Sequence, residues 1–566
     1  MENKRKAPVW QWIPGIIAVL CVGGIGAYFF LKRDLSKPPQ QSVVKPLLSD
    51  ALKKMIVKAS DSLYHLEFSY FYINIDSGKG LIKDLKLVPD SAIYQKLLLS
   101  KKAPNIVMTM STDSAVITHF ALEKTPDGRK LVVDDIIIQN PSMTVNYKLQ
   151  SYNDSDNVKE EKEVLHTMKD LLRFASIQHL SMRNLDFTMI NNNGSSPRKT
   201  SLKNLDINIA GINTNTVKRN DSSGKEYTAI TIFSNRLATP DGLYYLTMEG
   251  INYAPEVQTL TVKKTTLEPR LDKENFYKHA KIRKDRYHFI YGNTIYKGID
   301  IDKLLKRQQI HIQTMSTASS WSEIYTDYHY PKRKVPVRRH GDPHERLQRL
   351  AFDVTIDTMN MHNGTFLYSI KGEKSDDVAT FKLDNMEGQY VNITNNAIAK
   401  AANHNATVHS TARVMDGAYI TNDMRFNLND KDGAFTITSV MGSMDGKLMN
   451  PLMKPLALME VQSLDIQKMK TVINGNAYRG KGNIDMYYKD MKVAFVKKKG
   501  EDDYKKQKLI SFVSDLFVPD DNPNKRGKFK KGPIDVQRGD YDSFFGFLWK
   551  CMLEGMAVHM SGLKKE

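Results

Sequence analysis

Few side chains in the sequence stand at spacings that support metal binding. The segment HGDPHE carries His340, Asp342, His344 and Glu345, which are all potential metal ligands. Its glycine and proline predict an irregular turn before a helix, and such a turn is not a preformed ligand set. The segment therefore favours a turn over a metal site, and we expect no metal.

Catalytic groupings are equally sparse. The adjacent carboxylates Asp134 and Asp135 point to opposite faces of a strand, so they cannot flank one substrate. The segment GSMDG is similar to a nucleophile elbow, but Met444 stands at its central position. The two cysteines, Cys21 and Cys551, lie near opposite ends of the chain and cannot form a disulfide framework or a zinc site. We predict that the chain is not an enzyme and has no cofactor.

The balance of charge is strongly basic. Lys plus Arg exceeds Asp plus Glu by 19, and such an excess attracts polyanions, including anionic lipid head groups. The densest cluster, KRKVPVRRH at 332–340, lacks the interleaved aromatic residues that stack on bases. This favours a solvated loop, with lipid phosphates as an alternative neighbour, and we expect no nucleic acid partner.

A charge-free segment lies near the N-terminus. Residues 13–31 contain no charged side chain, and they are about long enough to cross a hydrocarbon core of about 30 Å as a helix. The preceding Lys4, Arg5 and Lys6 favour a cytoplasmic N-terminus with the rest of the chain exported. A cleaved signal peptide is the alternative, but no clear A-x-A cleavage site follows. The predicted membrane anchor carries Ile13, Ile17, Leu20, Ile25, Phe29 and Leu31.

Beyond a Pro- and Gln-rich tether, apolar residues recur at every second position. Turn signals such as Asn363-Gly364 and Asp432-Gly433 separate these alternating runs. Alternation places one set of side chains on one face of a sheet and the next set on the other. The sequence predicts a mainly β fold, in which an elongated, curled antiparallel sheet is accompanied by a few short amphipathic helices.

Three segments repeat one order of elements. A helical segment at 163–175 leads into an alternating strand, residues 345–364 repeat this order with a short helix, a strand and an Asn-Gly turn, and residues 301–315 are a weaker third copy. This order favours a degenerate internal repeat, with chance similarity of amphipathic segments as the alternative.

One apolar segment carries two prolines. Residues 446–466 read GKLMNPLMKPLALMEVQSLDI, with Pro451 and Pro455 four apart. A proline inside a helix removes a backbone donor and clashes with the preceding turn. The prolines therefore predict an extended connector that leads into a strand, with Met459 and Val461 on one face of that strand.

The apolar faces of the predicted strands can be interpreted in two ways. They either close an ordinary hydrophobic core or line an open groove that accepts acyl chains. The 26 methionines favour the groove, because flexible thioether side chains adapt to irregular apolar partners. The candidate groove residues are Leu85, Leu87, Leu185, Phe187, Leu205, Ile207, Phe352, Val354, Ile356, Met424, Phe426, Leu428, Met459, Val461, Met486 and Tyr488.

The end of the chain carries one apolar helical stripe. The stripe consists of residues at helical spacing: Phe544, Phe547, Leu548, Cys551, Met552 and Gly555. This predicts an amphipathic helix that caps the groove, docks on a partner or lies on a membrane surface.

The C-terminal part resembles the AsmA-like protein family. FTITSVMGSMDGKLMNPLMKPLALMEVQSLDI and the following GKGNIDMYYKDMKVAFVKKK are similar to the family's Asn-Pro segment and its subsequent G-x-x-x-M-x-Y-x-D-L strand. Met491 stands where that strand usually has leucine. The residues that match the family motif are Asp445, Asn450, Pro451, Pro455, Gly482, Met486, Tyr488 and Asp490.

The resemblance implies an inner-membrane-anchored periplasmic protein of a Gram-negative bacterium. Its repeating β-groove would bind or conduct phospholipids, and this would support lipid homeostasis or assembly of the outer membrane. The alternatives are a scaffold that binds other envelope proteins and, less favoured, a glycan-active enzyme.

The sequence also predicts a division into segments. The predicted segments are a basic cytoplasmic tail at 1–12, the transmembrane anchor at 13–31, a linker at 32–46, an N-terminal β-groove part with helices at 47–340, a C-terminal AsmA-like β part at 341–540, and an amphipathic C-terminal helix at 541–566.

Overall fold

Alternating burial along the strands dominates the structure. The computed structural model describes residues 49–50, 53–54, 56–57, 60–74, 77–125, 128–153, 175–193, 196–218, 226–239, 241–254, 257–299, 309–331, 342–372, 377–498, 504–506 and 520–560. Strands make up 60% and helices 16%, so the prediction of a mainly β fold is confirmed. The predicted tail, anchor and linker at 1–46 and the basic cluster at 332–340 lie outside the described residues.

The chain divides into two compact units. The first comprises the described residues within Met1–Thr265, Ile295–His311 and Leu350–Asp353; the second comprises those within Thr266–Thr294, Ile312–Arg349 and Val354–Glu566. In each unit the strands belong to a large, curled sheet that contains both parallel and antiparallel pairs.

The first unit contains ten complete strands among its described residues, and its described residues at 49–50, 53–54 and 56–57 are helical. The strands are β1 (Tyr64–Glu67), β2 (Tyr70–Asn74), β3 (Lys79–Pro89), β4 (Ile106–Thr125), β5 (Gly128–Gln139), β6 (Ser142–Tyr147), β7 (Ala175–Asn191), β8 (Arg198–Lys218), β9 (Glu226–Ala238) and β10 (Tyr244–Ala254). Helix α1 (Ser91–Leu99) follows β3, and a 3₁₀ turn (Ser151–Asn153) follows β6.

The remaining strands belong wholly or partly to the second unit. Those with residues in both units are β11 (Thr259–Pro269), β13 (Thr294–Lys297), β14 (Gln309–Thr317) and β16 (Asp353–Lys371). Those of the second unit alone are β12 (Arg286–Tyr291), β15 (Ser320–Asp327), β17 (Val378–Thr394), β18 (Asn405–Val414), β19 (Tyr419–Asn427), β20 (Phe435–Met441), β21 (Met444–Asp445), β22 (Met459–Gly475), β23 (Arg479–Lys498), β24 (Tyr504–Lys506) and β25 (Gly532–Gln537).

The second unit also holds five α-helices and one 3₁₀ turn among its described residues. They are α2 (Lys273–Ala280), α3 (Pro343–Gln348), α4 (Ala397–Ala402), a 3₁₀ turn (Gly446–Met449), α5 (Asn450–Ala457) and α6 (Phe544–Met560).

The prediction of an antiparallel sheet needs correction, because the sheet is mixed. Strands β5 and β6 both pair with β7 in parallel, and β15 pairs with β16 in parallel. A parallel pair needs a crossover of a dozen or more residues. The chain supplies long connections at both places, because β6 ends at Tyr147 and β7 starts at Ala175, while β15 ends at Asp327 and β16 starts at Asp353.

The prediction that the two-proline segment is not helical is also wrong. Residues Asn450–Ala457 form α5, with Pro451 in its first turn and Pro455 inside it. The first turn needs no intrahelical donor, so Pro451 costs the helix nothing. Pro455 removes one backbone bond, but it is buried, as are Leu452 and Met453. Packing against the rest of the unit therefore outweighs the helix-breaking tendency of Pro455.

Bulges bend the strands, and a neighbouring carboxylate binds the backbone at each of several bulges. In the first unit Asn184 and Asn204 have φ angles of 57° and 55°. The Asn184 N–H donates to Asp206 Oδ1 at 2.9 Å, and the Asn204 N–H donates to Asp186 Oδ1 at 3.0 Å. The register between β7 and β8 shifts on either side of Leu185, which lies within this region. The two adjacent strands therefore bulge together, and each carboxylate satisfies a donor that the ladder leaves free.

The second unit uses the same arrangement. The N–H of Asn363, whose φ is 45°, donates to Glu387 Oε1 at 2.9 Å. The N–H of Asp490, whose φ is 51°, donates to Asp521 Oδ1 at 3.1 Å. Asn and Asp tolerate this left-handed backbone better than other residues with a side chain.

Candidate functional site

Helix α6 lies on the apolar face of the sheet in the second unit. Phe547 and Cys551 are 0% exposed, and Phe544 is buried beside them. They belong to one cluster with apolar residues of β20, β22, β23 and β25, including Phe435 and Ile484. Burial raises the pKa of the Cys551 thiol to about 11, so it stays protonated at neutral pH.

A pair of glycines allows this helix to approach the sheet closely. A Cβ atom added to Gly532 of β25 would lie 2.2 Å from the carbonyl oxygen of Gly555 in α6. Any side chain at Gly532 would therefore push the helix off the sheet.

An apolar strip continues across the sheet next to α6. One row of residues crosses four neighbouring strands in register. The row consists of Tyr287 of β12, Ile324 of β15, Tyr368 of β16 and Phe381 of β17. The register also brings Phe289 and Phe366, each two residues from a member of this row, onto the same face. We call Tyr287, Phe289, Ile324, Phe366, Tyr368 and Phe381 the aromatic strip.

The aromatic strip is only partly covered. Ile324 is buried, whereas the five aromatic residues of the strip are half-buried. Two ring contacts join the strip to α6: Phe366 to Phe545 at 6.2 Å and Phe381 to Trp549 at 6.3 Å between centroids. Phe545 nevertheless remains 47% exposed. Apolar surface is therefore open to solvent along the side of this helix.

The strip is uncharged at neutral pH. Burial raises the pKa of Tyr368. Its hydroxyl therefore remains protonated. A neutral, largely aromatic surface of this kind suits an apolar ligand better than a polar one.

In the first unit the predicted groove residues meet one another in a packed core. Leu85, Leu87, Leu185 and Leu205 are at most 6% exposed and belong to a single cluster. Phe187 and Ile207 are half-buried against it, as are Ile93, Tyr94 and Leu97 of α1. A helix thus covers part of this apolar face too.

In the second unit the predicted groove residues divide between core and partly open positions. Leu428, Val461, Met486 and Tyr488 are buried, and Val354, Ile356, Met424, Phe426 and Met459 are half-buried. Phe352, in the Leu350–Asp353 segment of the first unit, is half-buried and precedes β16. None of these positions belongs to the aromatic strip.

The residues of the family motif hold backbone segments together. Asp445 accepts the Lys447 N–H at 2.9 Å and so caps the 3₁₀ turn. Asn450 bonds the backbone of Val461 twice: its Nδ2 donates to the carbonyl at 2.9 Å and its Oδ1 accepts the N–H at 2.7 Å. This amide therefore acts as a strand partner and ties α5 to β22.

The remaining motif residues shape β23. A Cβ on Gly482 would lie 1.8 Å from the Val472 carbonyl oxygen on β22, so only glycine fits there. Asp490 occupies the bulge described above and also accepts a hydrogen bond from Ser463 of β22. The motif therefore supports the architecture at these positions.

The potential metal ligands near α3 have structural partners instead. Asp342 and Glu345 form a capping box at the start of α3, and His344 Nε2 lies 3.2 Å from the Gly433 carbonyl oxygen. Arg538 binds both oxygens of Asp342, at 2.5 and 2.7 Å. Among the described residues no group of three His, Cys, Asp or Glu side chains could hold a metal ion; His340 lies outside them.

A histidine is buried where α6 contacts the sheet. His559 is 0% exposed, its Nε2 lies 3.1 Å from the Ile484 carbonyl oxygen, and its Nδ1 has no partner. Burial lowers the pKa of His559, and nearby Lys530 acts in the same direction, while the Ile484 carbonyl and Asp485 oppose the shift. The ring is therefore neutral in the folded protein near neutral pH.

We expect the second unit to lose stability in acid because of this histidine. The pKa of His559 is lower in the folded protein than in the unfolded chain, so its neutral ring stabilises the fold fully above the ordinary histidine pKa of about 6.5. This stabilisation is lost as the pH falls below about 6.5. Urea unfolding at pH 7.5 and 5.5 should show a larger fall in midpoint for the wild type than for His559→Gln. His404→Gln, at an exposed histidine, should behave like the wild type; a His559→Gln profile equal to that of the wild type would contradict the assignment.

Sequence comparisons give no family for the chain. No protein-family model matches the sequence, and no curated protein matches it at a significant level. In the described part of the chain, no helix is both long enough and apolar enough to span a membrane. The residues of the predicted anchor, from Ile13 to Leu31, lie outside that part.

Proposed function

We propose that this protein binds the acyl chains of lipids along the aromatic strip and the adjoining side of α6. The observation that carries the proposal is the half-buried row from Tyr287 to Phe381, which continues the apolar face beyond the edge of α6. Burial of apolar surface contributes about 25 cal/mol per Å², so an acyl chain lying on such a row gains free energy by leaving water. In this proposal the protein is a non-enzymatic lipid-binding protein.

The proposed cellular setting comes from the sequence. The charge-free segment at 13–31 would anchor the chain in the inner membrane, with the bulk in the periplasm. The resemblance to AsmA-like proteins adds a role in conducting phospholipid towards the outer membrane or in supporting outer-membrane assembly. Asn450 and Gly482 also support this resemblance. Both residues allow close contacts between backbone segments, and proteins that share a fold need the same residues at such contacts.

Lipid that co-purifies with the full chain tests the proposal. We expect mass spectrometry to find phospholipid bound to the wild type, and we expect Phe545→Asp to lower the bound amount several-fold, since it places a charge beside the strip. The control is Phe233→Asp in the first unit, where the aromatic ring is 74% exposed in a shallow depression beside His179 and Glu249.

The outcomes separate the two candidate functions. Loss of lipid in Phe545→Asp with retention in Phe233→Asp supports binding at the strip. A lipid-free wild type that purifies with envelope proteins would instead support the scaffold, and equal lipid loss in both variants would reject the strip as the site.

A further inference from the structure

A basic depression lies on the opposite face of the sheet in the second unit. Arg425 of β19, Thr436 of β20, Asn474 of β22 and Lys481 of β23 lie side by side in register across four neighbouring strands. The adjacent row on these strands includes Phe435, which is buried in the apolar cluster, so the polar row points to the other face. The depression has a volume of about 550 Å³.

Two of the three cations that line the depression form no ion pair within the described part of the protein. Arg479 lines the depression and pairs with Asp535 through both carboxylate oxygens at 2.5 Å. Arg425 and Lys481 form no ion pair with any residue that the structure describes. The described residues that line the depression include no Asp or Glu. Arg425 and Lys481 therefore share one concave surface without a salt bridge to the described residues, and the carboxylate beside Lys481 in register, Asp535 of β25, is bound by Arg479.

The amides that line the depression add hydrogen-bond donors. The side-chain oxygen of Asn474 accepts from the Thr436 hydroxyl at 3.0 Å, and that of Asn427 accepts from the Asn429 N–H at 3.0 Å. The side-chain oxygen of Asn476 accepts two backbone N–H groups, from Tyr478 and Arg479.

In each of these amides the oxygen already accepts at least one hydrogen bond, so the NH₂ group is the part best placed to bind a ligand. The surface therefore offers positive charge together with N–H donors. Such a surface complements a ligand with several anionic oxygens close together.

We propose that this depression binds a phosphate group. A phosphate carries up to two charges and several strong acceptor oxygens, and Arg, Lys and amide N–H groups are its usual ligands. The group can belong to a soluble phosphate or to an anionic lipid head group, and the chemistry of recognition is the same. This proposal does not rest on lipid binding at the aromatic strip, which lies on the other face.

Titration calorimetry on the full chain in detergent micelles tests the site. The ligands are inorganic phosphate, a short-chain phosphatidic acid and a short-chain phosphatidylcholine. We expect phosphate or phosphatidic acid to bind, with an affinity that falls as salt is added. Binding of phosphatidic acid alone identifies a lipid head group as the source, and binding of inorganic phosphate shows that a soluble source suffices.

Variants separate a specific site from general attraction to a basic protein. Arg425→Gln combined with Lys481→Gln should weaken binding about tenfold or more, because it removes two charge-assisted contacts. The control combines Lys468→Gln with Lys470→Gln, two exposed lysines of β22, and carries the same change in charge. Arg425→Lys should retain most of the affinity.

Three results would overturn the proposal. They are an absence of binding by both phosphate ligands, equal weakening in the two double variants, and an affinity for phosphatidylcholine that falls in the Arg425→Gln and Lys481→Gln double variant as much as the affinity for phosphatidic acid does. Far-ultraviolet circular dichroism and the urea midpoint establish that each variant is folded, so a loss of affinity is assigned to the site itself.

Discussion

Arg538→Ala is expected to lower the free energy of unfolding of the second unit by about 3–5 kcal/mol, the cost of removing one partner of a buried ion pair. The side chains of Arg538 and Asp342 are 8% and 2% exposed. The guanidinium also donates to the Asp542 carbonyl oxygen and lies 5.2 Å from the ring of Phe547. Removing it leaves a buried carboxylate without its cation. Urea unfolding followed by tryptophan fluorescence measures the loss.

The same substitution at an exposed pair is the matched control. Arg479 and Asp535 are 45% and 49% exposed, and exposed pairs contribute at most about 1 kcal/mol. Arg479→Ala should therefore change the unfolding free energy little. Equal losses in the two variants would show that burial does not set the strength of the Arg538 pair.

Phe547→Ala is the second large expected effect. The ring is 0% exposed in the cluster beneath α6, and truncating a buried phenylalanine costs about 3–5 kcal/mol through lost burial and the cavity left behind. The urea midpoint should fall accordingly. The control is Phe545→Ala on the same helix, where the ring is 47% exposed, and a loss as large as that of Phe547→Ala would contradict the packing described for α6.

The sequence predicted the strands well, because alternation is a local property. Phe435, Ile437 and Met441 alternate in the sequence, and all three are buried in β20. The parallel pairs were not predictable in this way, since they depend on where the chain returns after a long connection. Helix α5 does not follow from the sequence, because the penalty of Pro455 is a local property whereas the packing of its apolar neighbours depends on the rest of the unit.

The sequence predicts the candidate site less well than it predicts the strands. Alternation assigned Leu85 and Leu87 to an apolar face, but it does not reveal whether another element covers that face. The aromatic strip did leave a signal, because Tyr287, Phe289 and Tyr291 alternate within RYHFIY. The Asp342–Arg538 pair left none, as the two residues are 196 positions apart.

The paired bulges constrain how such a chain can change length. Because Asn184 and Asn204 deform adjacent strands together, with Asp206 and Asp186 as reciprocal acceptors, deleting one residue from either strand would exchange its inward and outward side chains beyond the bulge. A compensating deletion in the neighbour would then be needed. Insertions and deletions during evolution are therefore tolerated best as whole hairpins, and descendants of one ancestor should differ in strand number more readily than in strand length.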